Sequence, residues 1–434
     1  MMSIPGLGEY LGMSSVELLS AYSFYYPLFM AYLWMTGAIF YYIRYERPPK
    51  SHRDLPRSGL ETPPVLAEHP LVTIIVPCHN EGRDIEDTVE YLLASTYPNF
   101  DILLVNDGSS DETREILDEL AAQHPKIRVI HFARNQGKAV ALNTGSLMTS
   151  AQYLCCIDGD ALLDPEALSW LMVHFLNPRV GAVTGNPRVR NRSTLLGRLQ
   201  VGEFSSIVGL IKRAQRTYGR IFTVSGVVAC FRKAALHDVD YWSPAMLTED
   251  IDVSWKLQIR HWDVRFEPKA QCWILAPETL RGLWQQRLRW STGGIQVMLK
   301  NWRIQEVWAA RRMWPVLVEY VMSVCWAYVM LAVILLWLLG LAVDLPPQYR
   351  IPHLLSGWNG VIVGSTCLIQ IAVSLVLDSR YDSGSLKSFY WMIWYPLAYW
   401  MLNLVTTIVA VPRALLRNTK KRARWTSPDR GLLP

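Results

Sequence analysis

The stretch VTIIVPCHNEGRDIEDTVEYLLASTYPNFDILLVNDGSSD, residues 72–111, decides the fold. Two short apolar runs, VTIIV (72–76) and DILLV (101–105), flank a helical stretch near 84–95, and each run ends in a polar turn. The pattern continues outward. IRVIH (127–131) and YLCCI (153–157) are two more β-rich runs, with helical stretches near 112–123 and 137–149 between them. Short runs apolar throughout and joined by helices read as strands covered on both faces. The expectation is an α/β domain over 71–279 with a mostly parallel sheet. In such sheets ligands bind outside the carboxyl ends of the strands, so the polar residues after each run are the candidates for chemistry.

On either side of this domain the texture changes. The chain has 434 residues, 51% of them hydrophobic, and the apolar excess sits at its two ends. Residues 21–42 are long enough to cross hydrocarbon, within a membrane segment 1–43. Arg44, Arg47, Lys50, Arg53 and Arg57 follow, whereas residues 1–20 carry only Glu9 and Glu17. The positive-inside rule then puts the N-terminus outside and the domain in the cytoplasm. No Lys or Arg precedes the first apolar run, unlike a cleavable signal peptide. Pro48, Pro49, Pro56, Pro63 and Pro64 mark a linker over 44–70. Residues 280–314, rich in Trp and Arg, read as interfacial amphipathic helices. Apolar stretches at 315–343, 357–377 and 389–411 make a C-terminal membrane region, 315–412, before a basic tail, 413–434. Three full crossings would leave that tail outside, against the same rule. One segment is therefore expected to be interfacial or re-entrant, the last, interrupted by Pro396, being the first candidate.

The net charge of +6 lies beside the apolar runs, which argues for membrane lipid and against nucleic acid as partner. Seven cysteines without a C-x-x-C pair read as buried, reduced thiols. The nine histidines assemble no Cys/His metal site.

Acidic residues occupy the strand ends. The first run leads into Pro77-Cys78-His79-Asn80-Glu81, a polar edge suited to a nucleotide. The second ends in Asn106-Asp107-Gly108, where Asp107 is placed to accept from a base N–H and Gly108 permits close approach. Asp111 reads equally well as part of a tight turn before a helix. The fourth ends in Asp158-Gly159-Asp160, whose two carboxylates suit a hard cation and a diphosphate. A D-x-D occurs about once by chance in such a chain, so its place after a strand carries the weight.

Thr248-Glu249-Asp250 opens a helix. Asp250 is the expected general base, and the plain alternative is an N-cap with two acids on the helix dipole. Gln286-Arg287-Leu288-Arg289-Trp290 is the rarest short signal, roughly one in a thousand by chance. Its arginines suit a diphosphate and its Trp a sugar face; an interfacial helix is the alternative. Lys138 opens a helix and is placed to reach the nucleotide, or is solvated. Ser225-Gly226, after the IFTV run, lines the acceptor path. Arg188, Arg190 and Arg192 read as a solvated face, and Glu319 either borders a sugar channel or snorkels to the interface.

The series Asp107, Asp158-Gly-Asp160, Thr248-Glu249-Asp250 and Gln286-Arg287-x-Arg289-Trp290 resembles the processive family-two glycosyltransferases, among them cellulose, chitin and hyaluronan synthases. The segments 182–195, 202–219, 247–258 and 422–431 are similar to those of bacterial poly-β-1,6-N-acetyl-D-glucosamine synthases. The resemblance implies a GT-A (Rossmann-like) domain inserted between transmembrane helices of the inner membrane. It also implies UDP-N-acetylglucosamine as donor, Mg²⁺ or Mn²⁺, a growing polysaccharide and biofilm secretion. Pro77, Glu81, Asp107, Lys138, Asp158, Arg287 and Arg289 are then donor-binding. Asp158 and Asp160 hold the metal, and Asp250 is catalytic. Ser225, Gly226, Glu249, Gln286 and Trp290 are acceptor-binding. A small membrane partner subunit of the PgaD type and activation by cyclic di-GMP are implied too. No PilZ-like domain is visible, so a cyclic di-GMP site would be shared with that partner. The alternatives are a chitin-like or hyaluronan-like synthase, a non-processive lipid-linked transferase, and an inactive scaffold.

Overall fold

The computed structural model describes residues 14–47, 62–351, 353–354, 357–382, 384–393, 395–417 and 421–424. Residues 1–13, the linker residues Pro48, Pro49, Lys50, Arg53, Pro56 and Arg57, Lys420 and the tail from Trp425 lie outside them.

Helix α1 (Ser15–Tyr41) starts from a capping box in which Ser14 and Glu17 satisfy each other's backbone N–H, and it runs into a π-helical turn, Tyr42–Glu46. The domain then alternates: β1 (Val72–Cys78), α2 (Ile85–Leu93), β2 (Phe100–Asn106), α3 (Thr113–Gln123), β3 (Ile127–His131), α4 (Lys138–Leu147) and β4 (Tyr153–Ile157). All four apolar runs of the first half are strands. Beyond them come β5 (Leu162–Leu163), β6 (Val180–Val189), α5 (Leu195–Phe204), α6 (Ile211–Tyr218), β7 (Val228–Arg232), α7 (Glu249–Ile259) and β8 (Asp263–Ile274). The IFTV run (221–224) forms no strand. Helices α8 (Leu280–Lys300), α9 (Trp314–Ala342), α10 (Gly357–Asp378) and α11 (Tyr395–Leu416) follow.

The eight strands lie in the order β3-β2-β1-β4-β7-β6-β8-β5. The first four are parallel, but β7 runs antiparallel to both β4 and β6, so the expected mostly parallel sheet is mixed in its second half. From β1 the chain steps to β2 and β3 on one side, and β4 returns to the other edge of β1. This reversal opens a crevice at the carboxyl ends of β1 and β4. The strands are apolar throughout because alternate residues serve two cores. Ile74, Val76, Ile102 and Leu104 pack with α2 and α3, and Ile75, Leu103 and Val105 pack with α4. Neighbouring Cys155 and Cys156 accordingly enter opposite cores. All seven cysteines are free thiols; six are buried, as expected, and Cys325 is exposed.

Three helices among the described residues are long and apolar enough to cross a membrane: Trp308–Ala342, Trp358–Asp378 and Ala398–Leu416. Helix α1, expected as the first span, is 27 residues long, but its tyrosines and Pro27 dilute its apolar character and it is not one of the three. It runs antiparallel to α9. Val16 packs with Val333, the Tyr22 hydroxyl donates to Met322 O at 2.7 Å, and Tyr26 donates to Glu319 O at 3.3 Å. Pro396 falls in the first turn of α11, where a missing N–H costs nothing, and so does not interrupt it.

The arginines read as a solvated face are none of them free. Arg188, 2% exposed, bonds Asp378 at 2.7 Å at the end of α10. Arg190 pairs with Asp84, and Arg192 with Asp382. Arg213, fully buried, bridges Asp378 at 2.8 Å and Glu46 at 2.6 Å. A buried arginine needs more than one acceptor to satisfy its fork. Here those acceptors come from the end of α1 and the end of α10, so the ion network fastens both helices to the domain. Glu319 does not snorkel; it is half-buried and accepts from Gln215 on α6 at 3.5 Å.

Candidate active site

The turn after β1 is shaped by Asn80, whose φ of 56° is left-handed. Its side chain accepts from Ser110 N at 2.8 Å, tying this turn to the one after β2. Asp111 belongs to the same lacing, accepting from Thr113 Oγ1 at 2.6 Å and from Gly82 N. Glu81 is buried under the Asp158-Gly159-Asp160 turn: a Cβ on Gly159 would stand 2.9 Å from Glu81 Cγ and 3.5 Å from Pro77 O.

Asp107 is buried. Its two carboxylate oxygens accept from Gln136 N at 2.6 Å and Gly137 N at 2.8 Å. Burial pushes its carboxyl up and these two amides pull it back. It thereby fixes the loop that delivers Lys138, with Gly137 at φ 96°. Any contact to a base would use lone pairs left over from that work.

Lys138 is the centre of the site. Its ammonium touches the Asp158 carboxylate, lies 3.7 Å from Glu249 Oε1 and donates to Gly226 O at 3.1 Å. Burial works against its charge, but Asp158 and Glu249 outweigh it and hold its pKa well above the usual lysine range. Glu249 and Asp250 open α7. Asp250 Oδ1 accepts from Ile251 N at 2.9 Å, and a Cβ on Gly226 would stand 3.1 Å from Asp250 Oδ2. Burial pushes both carboxyls up, while Lys138 and Arg289 pull them down. A carboxylate so raised accepts a proton more readily, as a base must. A small cavity beside it is lined by Ser225, Gly226, Glu249, Asp250 and Trp242.

Thr248 does not cap α7 with its side chain. Its hydroxyl has no hydrogen-bond partner among the described residues and stands against α8, where a Cβ on Gly293 would meet Thr248 Oγ1 at 2.3 Å. Gln286, Arg289 and Gly293 share that face of α8, being three and seven residues apart. Arg289 is exposed and acts on Glu249 and Asp250. Arg287, expected at the diphosphate, lies elsewhere. It is 3% exposed, paired with Glu203 on α5 at 2.7 Å, and stacked over the Trp290 ring at 4.1 Å. Gln286 and Arg289 thus lie on the face of α8 that meets Thr248, and Trp290 is braced from behind by Arg287.

Sequence reasoning missed Glu203, since nothing local marks it. It also missed Asp252, which turns its back on the site and holds Lys300 at 2.5 Å and Ser243 at 2.6 Å. At the rim, Ala423 donates to Pro244 O at 2.8 Å, and its carbonyl lies 2.1 Å from where a Cβ on Gly137 would be.

A family model described as "Glycosyltransferase like family 2" matches residues 69–293. A poly-beta-1,6-N-acetyl-D-glucosamine synthase of Staphylococcus epidermidis is 37% identical over 411 residues, covering 94% of this chain and 97% of its own. A protein of the same name from Staphylococcus aureus is 37% identical over 412 residues, with the same coverage. Among solved structures, the mannosyltransferase PcManGT from Pyrobaculum calidifontis, in complex with GDP-Man and Mn²⁺, is similar with a TM-score of 0.58. It is 18% identical, and the match covers 92% of this chain and 99% of that one. That likeness speaks for the fold.

Proposed function

We infer the function from one premise: this chain belongs to glycosyltransferase-like family 2. It is a processive inverting transferase that polymerises N-acetylglucosamine from UDP-N-acetylglucosamine into β-1,6-linked poly-N-acetylglucosamine for biofilm. The observation that carries the chemistry is the meeting of Asp158, Glu249 and Asp250 around Lys138, at the carboxyl ends of the strands. The name shared by relatives across nearly the whole chain supports the sugar and linkage.

In this reading Asp250 takes the proton of an acceptor hydroxyl as that oxygen attacks the anomeric carbon. The bond to the diphosphate breaks on the opposite face, and UDP leaves with the electron pair. One base suffices for a single displacement, and its product is inverted. Lys138 and Arg289 oppose the charge of the leaving diphosphate. Gln286 and Trp290 hold the acceptor, with Ser225-Gly226 beneath it. Pro77, Glu81 and Asp107 shape the nucleotide side.

Asp158 and Asp160 would hold Mg²⁺ or Mn²⁺. Among the described residues no group of three His, Cys, Asp or Glu side chains is placed to hold one metal ion by itself. Two carboxylates therefore leave most of the coordination shell to diphosphate and water, which suits Mg²⁺ beside phosphates. When bound, the ion supplies neutralisation of the leaving group. The mannosyltransferase with GDP-Man and Mn²⁺ is consistent with that assignment.

The reading includes a multi-pass place in the bacterial inner membrane with the domain cytoplasmic, a small PgaD-type partner, and cyclic di-GMP as activator. The test supplies UDP-N-acetylglucosamine and Mg²⁺ or Mn²⁺ to membranes holding the chain, with and without partner and cyclic di-GMP. A hexosaminidase specific for β-1,6 linkages then digests the product. A resistant product rejects the linkage, and an Asp250→Asn variant with full activity rejects the base.

A further inference from the structure

One further buried charge lies near the base. Lys212, on α6, is 5% exposed, and the hydrogen bond it makes is to a neutral partner, Thr184 Oγ1 on β6, at 3.4 Å. The ring of Phe266 lies 6.0 Å from its ammonium. Lysines this deep are almost always paired with a carboxylate, yet no ion pair joins Lys212 to one among the described residues. Burial pushes its pKa down to about 7, and Asp250 is the charge that pulls it back. A group in this condition costs stability wherever it sits, which makes its place in the fold informative.

That place is the underside of the acceptor turn. Thr184 Oγ1, which Lys212 reaches, also accepts from Ser225 N at 2.7 Å. Ser225 bridges Val228 and so closes the turn that presents Gly226 to Asp250. Lys138 grips the other end of the same turn through Gly226 O. Two lysines thus hold the Ser225-Gly226 turn: Lys138 directly through Gly226 O, and Lys212 through Thr184 and the Ser225 N–H. Gly226 lies close against Asp250: a Cβ there would stand 3.1 Å from Asp250 Oδ2, tighter than ordinary contact, so the turn meets the base with its bare backbone.

We propose that Lys212, acting through Thr184, is a positioning residue for the acceptor sugar: it holds the Ser225-Gly226 turn against Asp250, so that the acceptor hydroxyl and not water meets the base. The inference rests on the transferase reading above. Loosening the turn leaves the donor side, held by Lys138 and Asp158, in place. The donor is then still cleaved, but more of it is lost to water.

The test uses the full chain in its membrane with UDP-N-acetylglucosamine, reading UDP released and N-acetylglucosamine incorporated in the same samples. For Lys212→Met, incorporation is expected to fall about 10-fold while UDP release falls less than about 3-fold, with the donor KM within about 2-fold of wild type. Thr184→Val, which removes the shared oxygen, is expected to raise the same ratio. The double variant is expected to be no worse than the poorer single, because both cut one connection. Equal loss of both outputs, a raised donor KM, or multiplying effects in the double variant overturns the role. Should Lys212→Met not accumulate in membranes, Thr184→Val decides alone by the same ratio. A wild type that makes no polymer rejects the transferase reading itself, whereas an active wild type with unshifted variants rejects only the role of Lys212.

Discussion

Arg287 and Arg289 stand two positions apart on α8, which turns them about 200° from each other. They cannot serve one ligand, and the structure gives them separate work. Arg289 holds down the pKa of Glu249 and Asp250, whereas Arg287 neutralises Glu203 and backs Trp290. The variants should therefore fail differently. Asp250 acts ionised, so activity is lost as pH falls through its raised pKa. Removing the positive charge in Arg289→Met lets that pKa rise further, and the acid limb of the pH–activity curve moves to higher pH. Arg287→Met leaves Glu203 buried without its cation, a change that costs about 3–5 kcal/mol. Its signature is a lower thermal midpoint with the acid limb in place. The Gln286–Trp290 motif was legible in the sequence as a unit. Its division between two helix faces was not: both arginines were expected at the diphosphate, and only the pairing of Arg287 with Glu203 separates them. Nor was Lys212. Only the fold brings the Lys212 ammonium and the Ser225 N–H, distant in sequence, to the same oxygen of Thr184.

Elements are held at the site by close approach. The adjacent glycines Gly293 and Gly294 of α8 face different neighbours: a Cβ on Gly293 would meet Thr248 Oγ1 at 2.3 Å, and one on Gly294 would meet Tyr320 Oη at 2.3 Å. Helix α8 is thus wedged between the start of α7 and α9. Alanine is the better helix former by about 1 kcal/mol, so any loss in Gly293→Ala must come from this contact. The expected result is a several-fold loss of polymer synthesis as α8 is pushed off the base. Gly364→Ala on α10, with nothing within 4 Å of the added Cβ, should leave synthesis unchanged. Equal behaviour of the two variants would refute the wedge. The first half of the sheet was legible because its strands are unbroken apolar runs. Strand β6 was not, since Gly185 and Pro187 break its apolar pattern and its pairing with β8 shifts register twice.

For the molecule as a whole, the question left by hydropathy was how three apolar segments and a basic tail fit together. The two ends of the C-terminal region both touch the domain: α9 begins beside it, and Ala423 bonds Pro244. With both ends on one side of a membrane, an even number of crossings lies between them: we expect α9 to leave and α10 to return, ending at Asp378 beside Arg188 and Arg213. Helix α11 then lies along α8, with Thr406 against Ser291 and Ala414 in the core that holds Met298. Composition alone cannot separate such a helix from a crossing one, because both bury the same residues. Single cysteines at Gln348, Lys387 and Lys421 test this arrangement with a membrane-impermeant thiol reagent. Labelling of Gln348→Cys from outside, and of the other two only after permeabilisation, is the expected result. Labelling of Lys421→Cys from outside refutes it.

The contact between Ala423 and Gly137 also sets an order of events during synthesis. Gln136 and its partner Arg422 are 286 residues apart. At roughly 5–20 residues per second, the ribosome takes on the order of 15–60 s to cover that interval. The growing chain therefore carries its complete sugar-transfer domain well before it carries the piece that packs on Gly137. In that interval α9, α10 and α11 emerge, and Ala423 reaches the loop bearing Lys138 only when all three helices have been made.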